Sequence, residues 1–305
     1  MNKNKGFLLI LATAFISGFS VFINKFGVAV INPYIFAGLK NIIVALIVVS
    51  WLLIMKDWKV LKELKRGQWL MLLIIGLIGG AVPFLLFFKG LSLTSGVQAA
   101  FIHKTMFIYI AILAAVFLKE KMGKNFLIAG LILFLGNILL LKTISYGFGW
   151  GDLLILSATL FWAGENILSK YILKDLPSRI VIWGRMFFGS IFIILFWLMT
   201  GQAGLVSSLN SSQIGWVLIT AVFLLGYVST WYGGLKYFKV SEAAVVLLLA
   251  SPITTLLSWI FLNQNLVNSQ FFAIILSLIA GLIIFKSSWY AQDKSVATIR
   301  SRRDC

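Results

Sequence analysis

Residues 151–170, GDLLILSATLFWAGENILSK, have the composition of a helix that crosses a membrane, with one carboxylate, Glu165, in its middle. The stretch is a second copy of residues 6–25, GFLLILATAFISGFSVFINK. Adding 145 to a number in the first copy gives its partner in the second: Gly6 meets Gly151, Leu9 meets Leu154, Ile10 meets Ile155, Leu11 meets Leu156 and Lys25 meets Lys170. The copies differ most where Ser20 answers Glu165.

The rest of the chain agrees with a membrane setting. Of its 305 residues, 61% are hydrophobic and 11% charged; soluble domains are about 45–50% apolar and about 25% charged. So large an apolar excess requires the bilayer as solvent. The net charge of +17 raises nucleic acid as a partner. The bases, however, sit between apolar runs instead of forming a basic domain, so no nucleic-acid partner is expected. The single cysteine is Cys305 and the single histidine His103, which leaves no disulfide framework and no metal cluster. GxxxxGK, HExxH and GxSxG are all missing. No catalytic residue, metal or cofactor is expected, and the chain does not read as an enzyme. MNKNK runs straight into a full-length span, without a cleavable-signal pattern.

A spanning helix takes about 20 mostly apolar residues. The sequence offers ten candidate spans: 7–29, 33–55, 68–89, 94–117, 124–142, 150–171, 179–200, 213–235, 241–262 and 270–287. Backbone polar groups cannot be left bare in lipid, so these are helices. With the N-terminus inside, the inner connections and tail carry twenty Lys and Arg, and the outer ones only Lys89 and Lys142. That split places both termini in the cytoplasm. Trp51, Trp58, Trp69, Trp150, Trp216 and Trp289 fall near span ends, where amphipathic rings sit. Residues 288–305 form a basic cytoplasmic tail, expected to be flexible and close to the anionic leaflet.

The repeat continues beyond the first helix. Lys40 in the second span meets Arg185 in the seventh at the offset of 145. After a one-residue slip, KGLSLTSGVQAA (89–100) aligns with GGLKYFKVSEAA (233–244), and LKEKMGKNFLIAGLILFLG (118–136) answers LNQNLVNSQFFAIILSLIAG (262–281). Five spans per copy is odd, so the second copy enters from the opposite side. An inverted-topology repeat is a common construction for secondary transporters, with the site at the midplane between halves. The fold class is thus all-α and polytopic, with two five-helix repeats at 6–142 and 150–287.

Ten spans in two inverted fives, with LKEK before the fifth, resemble the EamA family of the drug/metabolite transporter superfamily. The resemblance runs over nearly the whole chain. It implies a central cavity lined by spans one to four and six to nine, with spans five and ten at the periphery or at a subunit contact in a homodimer. The family's basic residue early in the second and seventh spans is matched by Lys40 and Arg185. Its frequent proline midway in the ninth span is matched by Pro252, whereas the fourth has Phe107 and Ile108. His103 and Lys104, beside that departure, are not a general family feature.

Ionisable groups at membrane depth are costly and often functional. Lys104 and His103 lie mid-way along the fourth span. They are either a buried structural pair, satisfied by carbonyls or Glu165, or an anion site with Lys104 as the substrate contact and His103 flanking it. Neighbouring residues diverge by about 100° around a helix, so the two cannot both face a cavity squarely. Glu165 shares a face with Trp162 and adjoins Asn166. It is a structural partner of Lys104 or Arg185, or a proton carrier, or part of a pair that opens on binding; as a carrier, Glu165→Gln would uncouple transport from pH. Lys40 and Arg185 can half-snorkel and serve as anchors. Lys25 and Lys170 look like interface anchors, and Asn24 and Ser169 like backbone caps. Gly76, Gly79 and Gly80 form a small face in the third span, which Pro83 should kink. Three bases against one acid favour an anion. With no nucleotide-binding loop, uphill movement would draw on a proton gradient or exchange.

The combined expectation is a multi-pass protein of the plasma or inner membrane, moving a small organic metabolite, anionic in this reading, by alternating access. An exporter of neutral amino acids or amphipathic drugs is the alternative within the class. A passive channel or scramblase is the alternative outside it.

Overall fold

The computed structural model describes residues 3–94, 96–140, 148–262 and 267–301, and side chains within 4–94, 98–140, 148–262 and 267–287. Lys142, Arg302, Arg303 and Cys305 lie outside the described residues, and Trp289, Lys294 and Arg300 outside the described side chains. The described residues are helical and contain no strand. Helix α1 spans Lys3–Val30 and α2 Pro33–Ile54, joined by a turn in which Asn32 caps α2 through Tyr34 N and Ile35 N. A short α3, Trp58–Lys62, precedes the third span. That span is made of α4 (Arg66–Ile75), a π-helical turn at Gly76–Ala81, and α5 (Val82–Leu93). Then come α6 (Gly96–Lys104), α7 (Met106–Phe117), α8 (Lys124–Leu139), α9 (Trp150–Ile172), α10 (Ser178–Met199), α11 (Ser211–Leu235), α12 (Val240–Leu247), α13 (Ala250–Leu262) and α14 (Asn268–Ser301).

Eight of these helices or helix pairs are long and apolar enough to cross a membrane. The other two expected spans differ for separate reasons. Helix α8 has only 16 residues, about 24 Å at 1.5 Å per residue, short of a hydrocarbon core about 30 Å thick. Helix α9 has the length, with 23 residues, but carries Asp152, Glu165 and Lys170 and is too polar to join the eight. The tail also departs from expectation. Helix α14 runs on to Ser301, because nothing after Gly281 breaks a helix.

The third span does not kink simply at Pro83. Proline has no N–H, so the carbonyl four residues back, that of Gly79, loses its helical donor. The backbone widens into a π turn around Gly76, Gly79 and Gly80. The fourth span, which has no proline, is interrupted all the same. Thr105 Oγ1 donates to the Ile102 carbonyl at 2.6 Å and α6 stops at Lys104. The ninth breaks at the equivalent place, between Leu247 and Ala250, with Leu248 N and Leu249 N turning back to Val245 O and Val246 O at 3.1 Å. Pro252 there withholds the donor that Leu248 O would otherwise receive.

Two close helix contacts obey the repeat. Gly6 on α1 meets Gly234 on α11, and Gly151 on α9 meets Gly90 on α5. A Cβ added to Gly234 would stand 3.0 Å from Gly6 O, and one added to Gly151 would stand 3.0 Å from Gly90 O. Each half thus lays its first span on the third span of the other. Helices α8 and α14 pack together. Leu127, Leu131, Phe271 and Leu278 stay exposed on them, apolar faces suited to lipid.

Two carboxylates seat helix starts. Asp152 accepts from Gly149 N, Thr94 Oγ1 and Gln98 Nε2, tying α9 to the α5–α6 junction. Glu120, from LKEK, accepts from Val240 N, Ser241 N and Ser241 Oγ at the start of α12.

Candidate functional site

A cavity of about 740 Å³, counting its open part, lies between the halves. Its wall includes Ser17, Ser20, Val21 and Asn24 of α1, Lys40 of α2, Phe84, Phe87 and Phe88 of α5, His103 of α6 and Met106 of α7. From the second half come Trp162 and Asn166 of α9, Arg185 of α10, and Leu224, Tyr227 and Trp231 of α11. Many of these are repeat partners. The offset of 145 pairs Ser17 with Trp162, Val21 with Asn166 and Lys40 with Arg185, and the slipped offset of 144 pairs Phe87 with Trp231. The pocket is thus lined by positions that the two sequence copies share.

The two cations occupy matching settings. Lys40 is 2% exposed. Its Nζ donates to Asn24 Oδ1 at 2.7 Å and lies 3.9 Å from the Phe88 ring centre and 4.4 Å from that of Phe36. Asn24 Nδ2 in turn donates to Ser20 Oγ at 2.9 Å and to Ser20 O at 2.8 Å. In the second half the partners of Ser20, Asn24, Lys40 and Phe88 are Glu165, Ser169, Arg185 and Tyr232. Ser169 Oγ donates to Glu165 Oε1 at 2.5 Å, and so does the Tyr232 hydroxyl at 2.5 Å. Arg185, 4% exposed, donates from Nη1 to that hydroxyl at 2.9 Å, with its Cζ 5.6 Å from the Tyr232 ring centre. Neither cation snorkels; each is held inside by at least one buried side chain of its own half.

The π turn supplies a further anchor. The Gly79 carbonyl, freed by Pro83, accepts Arg185 Nη2 at 3.1 Å and Trp162 Nε1 at 3.0 Å. A side chain at residue 79 would collide with Glu165, whose Cγ stands 2.3 Å from the Cβ position. Glycine there lets Glu165 pack beside Arg185. The carboxylate is fully buried, makes no ion pair among the described residues and reaches Arg185 through Tyr232. Its Oε2 has no hydrogen-bond partner among the described residues. Asn166 Oδ1 accepts Trp231 Nε1 at 2.7 Å, so both indoles facing the cavity are tied in place.

The candidates named from the sequence separate into three positions. Lys40, His103, Trp162, Asn166 and Arg185 line the cavity, and Glu165 lies behind the wall. Lys104 lies apart: it is buried, and Nζ reaches the Leu247 carbonyl at 3.5 Å, at the C-terminal end of α12. The wall position goes to His103, whose ring sits 5.1 Å from Trp162 and 5.3 Å from Phe87. Asn24 and Ser169, read as backbone caps, bond mainly to the side chains that organise the cations. Lys170 bonds the Leu235 and Phe238 carbonyls at 2.5 and 2.7 Å, clasping the end of α11 instead of anchoring at an interface. Ser17, Phe88 and Tyr232 were not among the candidates, and Ser20 was singled out only as the repeat partner of Glu165. Carrying the repeat offset through every neighbour of Lys40 and Arg185 would have found them.

A family model described as the EamA-like transporter family matches the chain twice, at residues 4–142 and 149–286. The Uncharacterized transporter YyaM of Bacillus subtilis (strain 168) is 26% identical over 263 residues, covering 83% of this chain and 85% of its own. A protein of Rickettsia bellii, named S-adenosylmethionine uptake transporter, is 28% identical over 153 residues, covering 50% of this chain and 49% of its own. A solved crystal structure superposes with a TM-score of 0.74 at 17% identity, over 95% of this chain and 99% of that one.

Proposed function

We propose, from the premise that the chain belongs to the EamA-like transporter family, that it is a secondary transporter whose cavity takes a small organic anion. Relatives and family are transporters, not enzymes, and the chain is a multi-pass membrane protein. In this proposal ten spans form two inverted repeats, at 6–142 and 150–287. The basic tail 288–305 and the N-terminus lie on the cytoplasmic side of the plasma or inner membrane. Alternating access proceeds by rocking of one half against the other about the cavity.

The observation that carries the anion is the charge of the wall. Lys40 and Arg185 line it from symmetry-related positions, and no carboxylate does among the described residues. Two cations in a site of low dielectric attract an anion and repel a cation. Arg185 has five N–H donors, of which Gly79 O and Tyr232 take two, so donors remain for a carboxylate or phosphate. His103 adds its ring to the same wall. Lys104 is proposed as a link between the interrupted fourth and ninth spans instead of a substrate contact. Glu165 is proposed to hold Arg185 in place through Tyr232 and to release it as the halves move.

The test is a thermal-shift screen of purified protein against anionic, neutral and cationic metabolites, repeated on Lys40→Gln and Lys104→Gln. Anions should raise the unfolding temperature of the native protein and of Lys104→Gln, and leave Lys40→Gln unmoved. Stabilisation by cations alone, or an anion effect lost only in Lys104→Gln, would overturn the assignment. S-adenosylmethionine belongs in the screen because of the Rickettsia relative. Its ammonium and sulfonium groups find no acid on this wall, so little stabilisation is expected.

A further inference from the structure

The wall carries more information than its sign. It is aromatic on most sides, the rings are fixed, and the cations have already claimed particular faces. Phe88 and Phe36 lie against Lys40; Phe84 and Tyr232 lie against Arg185. Phe87, His103 and Trp162 meet one another at 5.1 to 5.4 Å, tilted or edge-on, while Tyr227 and Trp231 stack at 6.1 Å. Trp162 and Trp231 cannot swing, because Gly79 O and Asn166 Oδ1 hold their N–H groups. Both indoles belong to the cavity lining and are held in place, so this aromatic wall needs little ordering to receive a flat ring.

The polar ends are equally selective. Hydrogen-bond donors dominate: Lys40, the remaining Nη–H groups of Arg185, and the hydroxyls of Ser17 and Ser20. Glu165 is outside the wall, its Oε1 already accepting Ser169 and Tyr232. Asp152 is engaged with Thr94, Gln98 and Gly149. An ammonium brought into the cavity would be desolvated beside two cations, with no carboxylate on the wall among the described residues and the ring faces nearest the charges already covered.

We infer that the cavity selects aryl monoanions, a flat ring bearing one carboxylate and no amine, and discriminates against the zwitterion of the same skeleton. The inference rests on the anion reading above and narrows it. The carboxylate goes to Arg185 and Lys40, the ring to the aromatic wall of Trp162, Trp231, Phe87 and His103.

A series with one skeleton tests it: phenylpropionate, phenylalanine, phenethylamine and cyclohexylpropionate, titrated by calorimetry into the purified full chain. Phenylpropionate should bind; phenylalanine, which adds only the ammonium, should bind at least about tenfold more weakly. Phenethylamine should not bind, and cyclohexylpropionate should be weaker than phenylpropionate by about fivefold or more. Phenylpropionate affinity should also fall in both Lys40→Gln and Arg185→Gln. Phenylalanine binding as tightly as phenylpropionate, cyclohexylpropionate matching it, or phenylpropionate failing to bind, would overturn the aryl-monoanion class while the metabolite screen still decides the anion reading. Phenethylamine binding best, or phenylpropionate binding unchanged in both variants, would overturn the anion reading and this inference together.

Discussion

Arg185→Gln is expected to abolish anion uptake in proteoliposomes while the protein still folds and inserts. The guanidinium is the wall's only fork-shaped donor among the described residues, and its loss removes both the charge and the paired N–H groups that suit a carboxylate. Truncating one side of a buried, hydrogen-bonded charge pair costs about 2–5 kcal/mol, which is about 30-fold or more in affinity. The scaffold has other supports. The Gly79 carbonyl keeps Trp162 Nε1, and Glu165 keeps Ser169 and Tyr232. Glutamine retains an amide donor that can reach part of the same space. Uptake should therefore fall far more than the unfolding temperature. Native-like uptake by Arg185→Gln, measured at equal incorporation into the vesicles, would remove Arg185 from the site.

Gly189→Val is expected to cost the fold itself. Gly189 on α10 faces Gly80 in the π turn with no side chain between the backbones. An added Cβ would stand 2.7 Å from Gly80 C and Cα and 2.9 Å from its O, and one added to Gly80 would stand 2.1 Å from Arg185 O. These are backbone atoms, so no rotamer change relieves them. The loss should exceed the about 1–3 kcal/mol usual for overpacking a core. Separating the spans would also move the Gly79 carbonyl from Arg185 and Trp162. Gly164→Ala is the control: it sits in α9 beside Glu165 with nothing within 4 Å of its Cβ position, and alanine favours a helix over glycine by about 1 kcal/mol. Thermal unfolding in detergent separates the two. A Gly189→Val protein that unfolds with Gly164→Ala would contradict the backbone contact.

Much of this architecture can be read from one offset. Matching residues 6–25 to 151–170 brings Lys40 and Arg185 to equivalent places, and the structure puts both on one wall. What could not be read depends on geometry that periodicity does not carry. The one-residue slip between the third and eighth spans makes Phe88 and Tyr232 counterparts, but their place beside the two cations emerges only from the packing. The sequence offers Glu165 two direct basic partners, yet its contact with Arg185 runs through a tyrosine 67 residues away. His103 and Lys104 could not be assigned by helical angle alone, because Thr105 interrupts the helix beside them without proline or glycine. Pro83 is visible as a breaker, but that it frees the Gly79 carbonyl for Arg185 and Trp162 emerges only from how the spans pack. The expected snorkelling of Lys40 and Arg185 failed for a related reason: each has buried partners within its own half.

The most direct test of a carrier built around this cavity is counterflow. Proteoliposomes loaded with an excess of the anion that most stabilises the purified protein are diluted into a trace of the same anion, labelled. The expected result is transient accumulation of label above equilibrium, saturating with concentration and absent in Arg185→Gln. Label entry that rises linearly without saturation and ignores the anion inside would instead mark a passive channel, and would contradict alternating access through the Lys40–Arg185 cavity.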